Sequence, residues 1–323
     1  MTMSDISYEY AVGRIKAREG RILNRATWNR LLEADGEEAL KILQESGYGS
    51  DADDQTRIEA LIDAEVTQTQ QLIAGISPDP DLTNLFLYPT DGYNLKIILK
   101  GILQRTDVKD LLHEGGTIPL EVLLASVEDE PADALPEPFK EALEKLEGVE
   151  DPRLISLCVD QAVYQCILDE LTEHKNPLLI QYFQAKIDFT NILTIVRGNA
   201  LHWDVAQVTR LLLEGGQLEK RILTAAIGLE PDQLPKALAV GDFSDAIKGA
   251  LDNYASHHNI GELEQQLDNV PLSIIHEARS DSFGIGPILN YLLLKEREAQ
   301  ALRVLFAGKR AGMSLSLAEL GIE

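Results

Sequence analysis

Apolar positions recur at helical spacing along nearly the whole chain. Residues 8–33 place Ala11, Ile15, Ile22, Leu23, Leu31 and Leu32 on that period, which predicts helix. A second, short helix is expected over 36–46, ended near Gly47 and Gly49. From Asp53 the sequence DDQTRIEALIDAEVTQTQQLIAGI carries Ile58, Leu61, Ile62, Val66 and Leu72. It predicts a long amphipathic helix, capped by Asp53 or Asp54 and ending near Gly75. The acidic segment from Val127 to Pro152 holds four prolines and predicts turns, with one short helix over Pro136 to Leu146. Another long helix is expected from Arg153 to His174. Candidate strands such as Ala237 to Val240 are too isolated to make a sheet. The pattern therefore predicts an all-α protein.

One part of the pattern repeats. Pro80, Pro177 and Pro287 each stand eleven residues before an acid: Asp91, Asp188 and Glu298. Ten residues after each acid stands a glycine: Gly101, Gly198 and Gly308. Proline suits the first turn of a helix, and Asp79 and Asn176 are good N-caps for two of the three; Gly286 is the weaker equivalent. Pro89 predicts a break just before Asp91. Each acid is then read as the cap of a second helix, over Asn94 to Lys100, Asn191 to Arg197 and Ala301 to Ala307, closed by the glycine. Lys100 and Arg197 lie at C-terminal ends, where positive charge is favoured.

Copies one and two continue alike, through LLHEGGTIPLEVLLA from Leu111 and LLLEGGQLEKRILTA from Leu211. The third copy, with Ala301 where the others have Asn94 and Asn191, lacks the Gly-Gly continuation. Copies 97 and 110 residues apart are too widely spaced for tetratricopeptide, ankyrin or HEAT arrays. They predict three similar helical lobes with pseudo-threefold internal repeats: 1–125, 126–230 and 231–323.

Composition narrows the function. Apolar residues make up 45% and charged residues 25%, with aromatics at only 6%, a mix that favours helix packing. No apolar run reaches the roughly 18 residues of a membrane span, and MTMSDISYEYAVGRIKAREG has no signal-peptide core; a cytoplasmic location is expected. Cys158 and Cys166 read as buried thiols. A net charge of −24 argues against nucleic acid and against anionic lipid. Arg14, Lys16, Arg18, Arg21, Arg25 and Arg30 form one basic island, read as a solvated helix face or as a contact for an acidic partner.

Catalytic signatures are missing. The sequence has no P-loop, no dinucleotide-binding glycine motif, no His-Glu-x-x-His and no calcium loop. The six histidines are scattered. Three acids at equivalent repeat positions are explained better by capping, or by a ring of three partner contacts, than by acid–base work. No cofactor or metal is expected.

The repeated frame, the opening YEYAVGRIKAREGRIL and the block GPILNYLLLKEREAQALRVLFAGKRAGM resemble the C subunit of V/A-type ATPases and ATP synthases, the counterpart of the eukaryotic d subunit. The resemblance runs from end to end. It implies a funnel-shaped, non-catalytic rotor component of the central stalk. Its cavity receives the shaft made by the D and F subunits, and it sits on the membrane rotor ring at the inner face, with the stator membrane subunit nearby. It couples the two for ATP-linked proton or sodium transport without entering the membrane. On that reading the partner contacts are expected at Asp91, Asn94, Asp188, Asn191, Arg197, Arg297, Glu298, Lys309 and Arg310. A helical scaffold outside any ATPase is the alternative.

Overall fold

The computed structural model describes residues 6–49, 54–128 and 134–322. Within them the chain is helical, with no strand among the described residues. It forms two compact units, one of residues 1–83 with 275–323 and one of residues 84–274.

The first unit opens with α1 (Tyr8–Lys16), α2 (Arg25–Glu33), α3 (Gly36–Glu45) and α4 (Ile58–Ile76), followed by the short α5 (Pro80–Asn84). The single run expected over 8–33 is thus broken at residues 17–24. The cause is local. Ile22 is extended at φ −71 and ψ 130, and the Asn24 carboxamide accepts the Thr27 N–H to start a new helix. Asp35 caps α3 in the same way. The long helix starts at Ile58, later than expected, because the Asp54 carboxylate accepts the Thr56 N–H at 2.9 Å and builds a turn ahead of it. Asp53, the other candidate cap, lies outside the described residues.

The second unit holds α6 (Tyr88–Gln104), α7 (Leu120–Glu128), α8 (Glu137–Leu146), α9 (Pro152–His174), α10 (Pro177–Ala200), α11 (Val205–Leu211), α12 (Lys220–Ala225), α13 (Leu234–Leu238), α14 (Ser244–His257) and most of α15 (Ile260–Glu277). The helix expected over Pro136 to Leu146 is α8, and that over Arg153 to His174 is α9. Helix α9 packs on both α6 and α8. Phe86, just ahead of α6, meets Tyr182 and Phe183 of α10 with ring centroids 4.9–5.3 Å apart. A separate core joins α10 to α14 and α15 through Phe189, Ile192, Val208, Leu223, Leu251 and Leu267.

Helix α16 (Gly286–Arg310) completes the first unit and packs on α4 and α1. Its Leu302, Leu305 and Phe306 share one core with Leu23, Trp28, Leu31, Ile42 and Leu61.

The repeat frame needs two corrections. Asn176 does cap α10, accepting the Leu179 N–H, and copy one does break ahead of Asp91, between α5 and α6. Yet Asp188 and Glu298 lie well inside uninterrupted helices, and Asp91 follows a helix start at Tyr88, whose N-cap is Leu87. None of the three is an N-cap. At Asp188 and Glu298 the turn is interior and its N–H groups are already bonded, so it offers a carboxylate nothing to cap; Asp91 lies in the first turn of α6, past the cap position, and its carboxylate accepts from Thr117 and Ile118 instead.

The frame glycines are not terminal either; each helix runs on for two or three residues. Four residues past each glycine the backbone turns left-handed, at Arg105 (φ 55), His202 (φ 54) and Gly312 (φ 71). The next N–H then returns to the glycine carbonyl: Thr106 to Gly101, Trp203 to Gly198 and Met313 to Gly308, at 2.9–3.0 Å. This is a Schellman closure with the glycine one turn inside. Glycine is needed there for space. A Cβ would stand 2.6 Å from a carbon of Val108, Val208 or Leu315 respectively.

Candidate functional site

The frame acids are buried, and their roles follow from what they accept. Asp91, fully enclosed in α6, takes the Thr117 N–H at 3.0 Å, the Thr117 hydroxyl at 2.6 Å and the Ile118 N–H at 3.1 Å. Asp188 in α10 takes the Gln217 N–H at 2.9 Å and the Leu218 N–H at 3.0 Å. One turn on, Asn94 donates to the His113 carbonyl at 2.8 Å and accepts the His113 N–H at 2.9 Å. Asn191 does the same with Leu213, at 2.9 and 2.7 Å. Each Asp-x-x-Asn pair therefore clamps the loop that returns over its own helix. Buried backbone groups need such partners. The Gly-Gly pair lets the loop come close: a Cβ on Gly116 or Gly216 would stand 2.0 Å from the aspartate Oδ1. Burial pushes the carboxyls of Asp91 and Asp188 above the usual range, against the lowering effect of these hydrogen bonds.

Glu298 sits in a richer cluster. Its Oε2 accepts the Leu23 N–H at 2.6 Å, and its Oε1 accepts the Tyr48 hydroxyl and the Lys295 ammonium. Lys295 also pairs with Glu65 at 2.9 Å, donates to the Arg21 carbonyl and lies 4.6 Å from the centre of the Tyr48 ring. Lys295, Glu65 and Glu298 are all buried. Burial, with Glu298 beside it, pushes the Tyr48 hydroxyl far up, and burial with Glu65 pushes Tyr291 up to about 12. The cluster is closed and satisfied, which suits holding structure together rather than turning over a substrate. Glu65 and Tyr48 carry no sequence signal of this role. Lys295 lies within the block that carried the resemblance, and a lysine amid apolar helix positions is its only signal.

The remaining expected residues are cations, three in the last turns of their helices and Arg297 in the middle of α16. Arg197 pairs with Glu264 at 2.7 Å, its side chain 46% exposed. Arg310 pairs with Glu59 and is 65% exposed. Lys309 donates to the Leu32 and Ala34 carbonyls, both at 2.7 Å, closing the end of α2. Arg297 donates to the Gly321 carbonyl. The structure thus divides the nine: Asp91, Asn94, Asp188, Asn191 and Glu298 are buried, while the four cations are at or near the surface.

The cysteines differ. Cys166 is buried and its thiol is pushed up to about 12; Cys158 is only half-buried, at the edge of a cleft of about 470 Å³ between α8, α9 and the segment after α11. Among the described residues no group of three or more His, Cys, Asp or Glu side chains is placed to hold a metal ion. No described helix is long and apolar enough to cross a membrane.

Helices, loops clamped by buried carboxylates and a sealed ionic cluster define an all-helical protein. Comparison with known proteins gives the family. The profile of the ATP synthase (C/AC39) subunit family matches residues 11–318, and the chain belongs to that family. It is 26% identical over 312 residues to the C subunit of the V-type sodium ATPase of Enterococcus hirae, covering 93% of each chain. It is 24% identical over 336 residues to the C subunit of the A-type ATP synthase of Halorubrum lacusprofundi, covering 95% of this chain and 94% of the relative. The corresponding A-type ATP synthase protein of Methanosarcina mazei is 25% identical over 332 residues, with 95% and 90% covered.

Proposed function

We propose that this chain is a non-catalytic central-stalk component of a rotary V/A-type ATPase or ATP synthase. It acts as a three-lobed, funnel-shaped socket that joins the shaft of the D and F subunits to the membrane rotor ring at the inner face, and it passes torque between them during proton or sodium transport. The observation that carries this reading is the family match across nearly the whole chain. The clamped loops support it, because a part that transmits torque must not yield, and buried satisfied polar networks stiffen a fold. Torque transfer also asks for a large complementary interface at the shaft, and contacts shared among ring copies add avidity.

Within this reading the partner contacts fall on Arg197, Arg297, Lys309 and Arg310. Asp91, Asn94, Asp188, Asn191 and Glu298 stiffen each unit from within, through the loops at 113–118 and 213–218 and the Leu23 amide. The test is recovery of the tagged chain from its own cells in mild detergent, read by mass spectrometry. Shaft and ring subunits are expected with it, and lost when the shaft partner is deleted. A preparation free of ATPase subunits, from cells that express them, overturns the proposal.

A further inference from the structure

We infer that the third copy of the repeat is split, and that the loop returning over α16 is completed by the chain's own residues 19–23. In copies one and two the returning loop reads Glu114-Gly115-Gly116-Thr117-Ile118 and Glu214-Gly215-Gly216-Gln217-Leu218. In each, the fifth residue donates its N–H to the frame aspartate, at 3.1 and 3.0 Å. No such loop follows α16 among the described residues. Near the other end of the sequence, however, stands Glu19-Gly20-Arg21-Ile22-Leu23. Its fifth residue, Leu23, donates its N–H to the frame acid Glu298 at 2.6 Å.

The register continues beyond the bond. The next helix begins two residues past the fifth position in all three cases: α7 at Leu120, α12 at Lys220 and α2 at Arg25. Five residues past it lie Leu123, Leu223 and Trp28, exposed by 0%, 2% and 2%. Eight residues past it lie Ser126, Ala226 and Leu31, again buried. A shared acceptor, a shared helix start and two shared burial positions do not arise from one chance contact.

The departures compensate one another. Where copies one and two need Gly116 and Gly216 against an aspartate, copy three has Arg21 against the longer glutamate, and the Arg21 carbonyl is taken by Lys295. Where they use Asn94 and Asn191 to hold the carbonyls of His113 and Leu213, copy three has Ala301, and Arg297 holds the Gly321 carbonyl instead. Leu315 fills the space beside Gly308 as Val108 and Val208 do beside Gly101 and Gly198. The first half of the third loop thus comes from the residues after α16, and the second half from residues 19–23. This holds whether or not the rotor reading does.

The test is hydrogen exchange on the full chain, resolved to single amides. The Leu23 amide is expected to be protected to within about tenfold of Ile118 and Leu218. Glu298→Gln is expected to lower Leu23 protection by about tenfold or more while leaving Ile118 unchanged. A Leu23 amide that exchanges like an open terminal segment in the native protein overturns the inference. A second variant covers a Glu298→Gln chain that does not fold. Arg21→Gly with Ile22→Gln imports the second-copy loop and is expected to retain the fold and the Leu23 protection. Loss of either also overturns it.

Discussion

Lys295 lies buried between Glu65, at 2.9 Å, and Glu298, at 2.5 Å, one cation shared by two carboxylates. Removing it leaves two uncompensated carboxylates out of water. Lys295→Met is expected to destabilise the first unit by about 3–5 kcal/mol, because breaking a buried ion pair strands its partners. Adding Glu65→Gln is expected to recover part of that loss, measured by urea unfolding. Equal stability of wild type and Lys295→Met would show that the cluster contributes no net interaction.

Alkaline unfolding tests the same cluster. Tyr291 is held up to about 12 and Tyr48 is pushed in the same direction, both from an ordinary value near 10. Above 10 the unfolded chain loses these protons and the folded chain keeps them. The folded state then binds more protons, so stability falls as pH rises from about 10 towards 12. The melting temperature should drop through that window, and Tyr291→Phe should flatten the slope. The carboxyls of Asp91 and Asp188 are raised too, so their contribution is largest in acid and is lost as pH rises through their folded values. Asp188→Asn should flatten the acidic limb of the same curve.

Two glycines separate space from propensity. Gly198→Ala forces a methyl to within 2.6 Å of Val208 and is expected to cost about 1–3 kcal/mol, as overpacking does. Gly249, exposed within α14, has nothing within 4 Å. Gly249→Ala should stabilise by about 1 kcal/mol through helix propensity alone. Thermal melts of both variants give the comparison.

Much of this fold could be read from local sequence. Asn176 followed by Pro177 is a cap and a first turn, and both do their work within four residues. Asp35 before Gly36 is the same kind of signal. The frame acids mislead for a related reason. An acid ahead of an apolar run looks like a cap, and only a partner 26 to 30 residues away, or 275 in the case of Glu298, shows otherwise. The Gly-Gly pairs after Glu114 and Glu214 are visible, but nothing local ties them to Asp91 and Asp188. The match between Glu19-Gly20 and those loops is also present, yet sequence order sets it at the opposite end from the helix it completes. The charge cluster around Lys295 needs tertiary structure outright, because Tyr48 and Glu65 are unremarkable in their own segments.

The surface cations give a test of the partner contacts. Arg197 and Arg310 form exposed pairs with Glu264 and Glu59, and such pairs contribute little to stability, about 0–1 kcal/mol. Arg197→Glu with Arg310→Glu should leave the melting temperature nearly unchanged and should lower recovery of rotor subunits. Full recovery at native stability would remove both residues from the contact set.

The thiols are expected to differ in rate. In native protein near pH 8, Cys158 should react slowly with a disulfide reagent, and Cys166, buried and pushed up to about 12, only on unfolding. Equal rates for the two would contradict the packing of α9.

The first unit joins residues 1–83 to 275–323, and its core needs Leu302, Leu305 and Phe306. A ribosome makes α16 after every other helix described. Until it emerges, Trp28, Leu31, Ile42 and Leu61 lack the cover of Leu302, Leu305 and Phe306, while the core joining α10 to α14 and α15 draws on residues 178–274 alone. Vectorial synthesis therefore sets an order. The core of residues 178–274 can settle during translation, whereas residues 23–62 must wait for α16 and are the stretch that a nascent-chain chaperone has most reason to shelter.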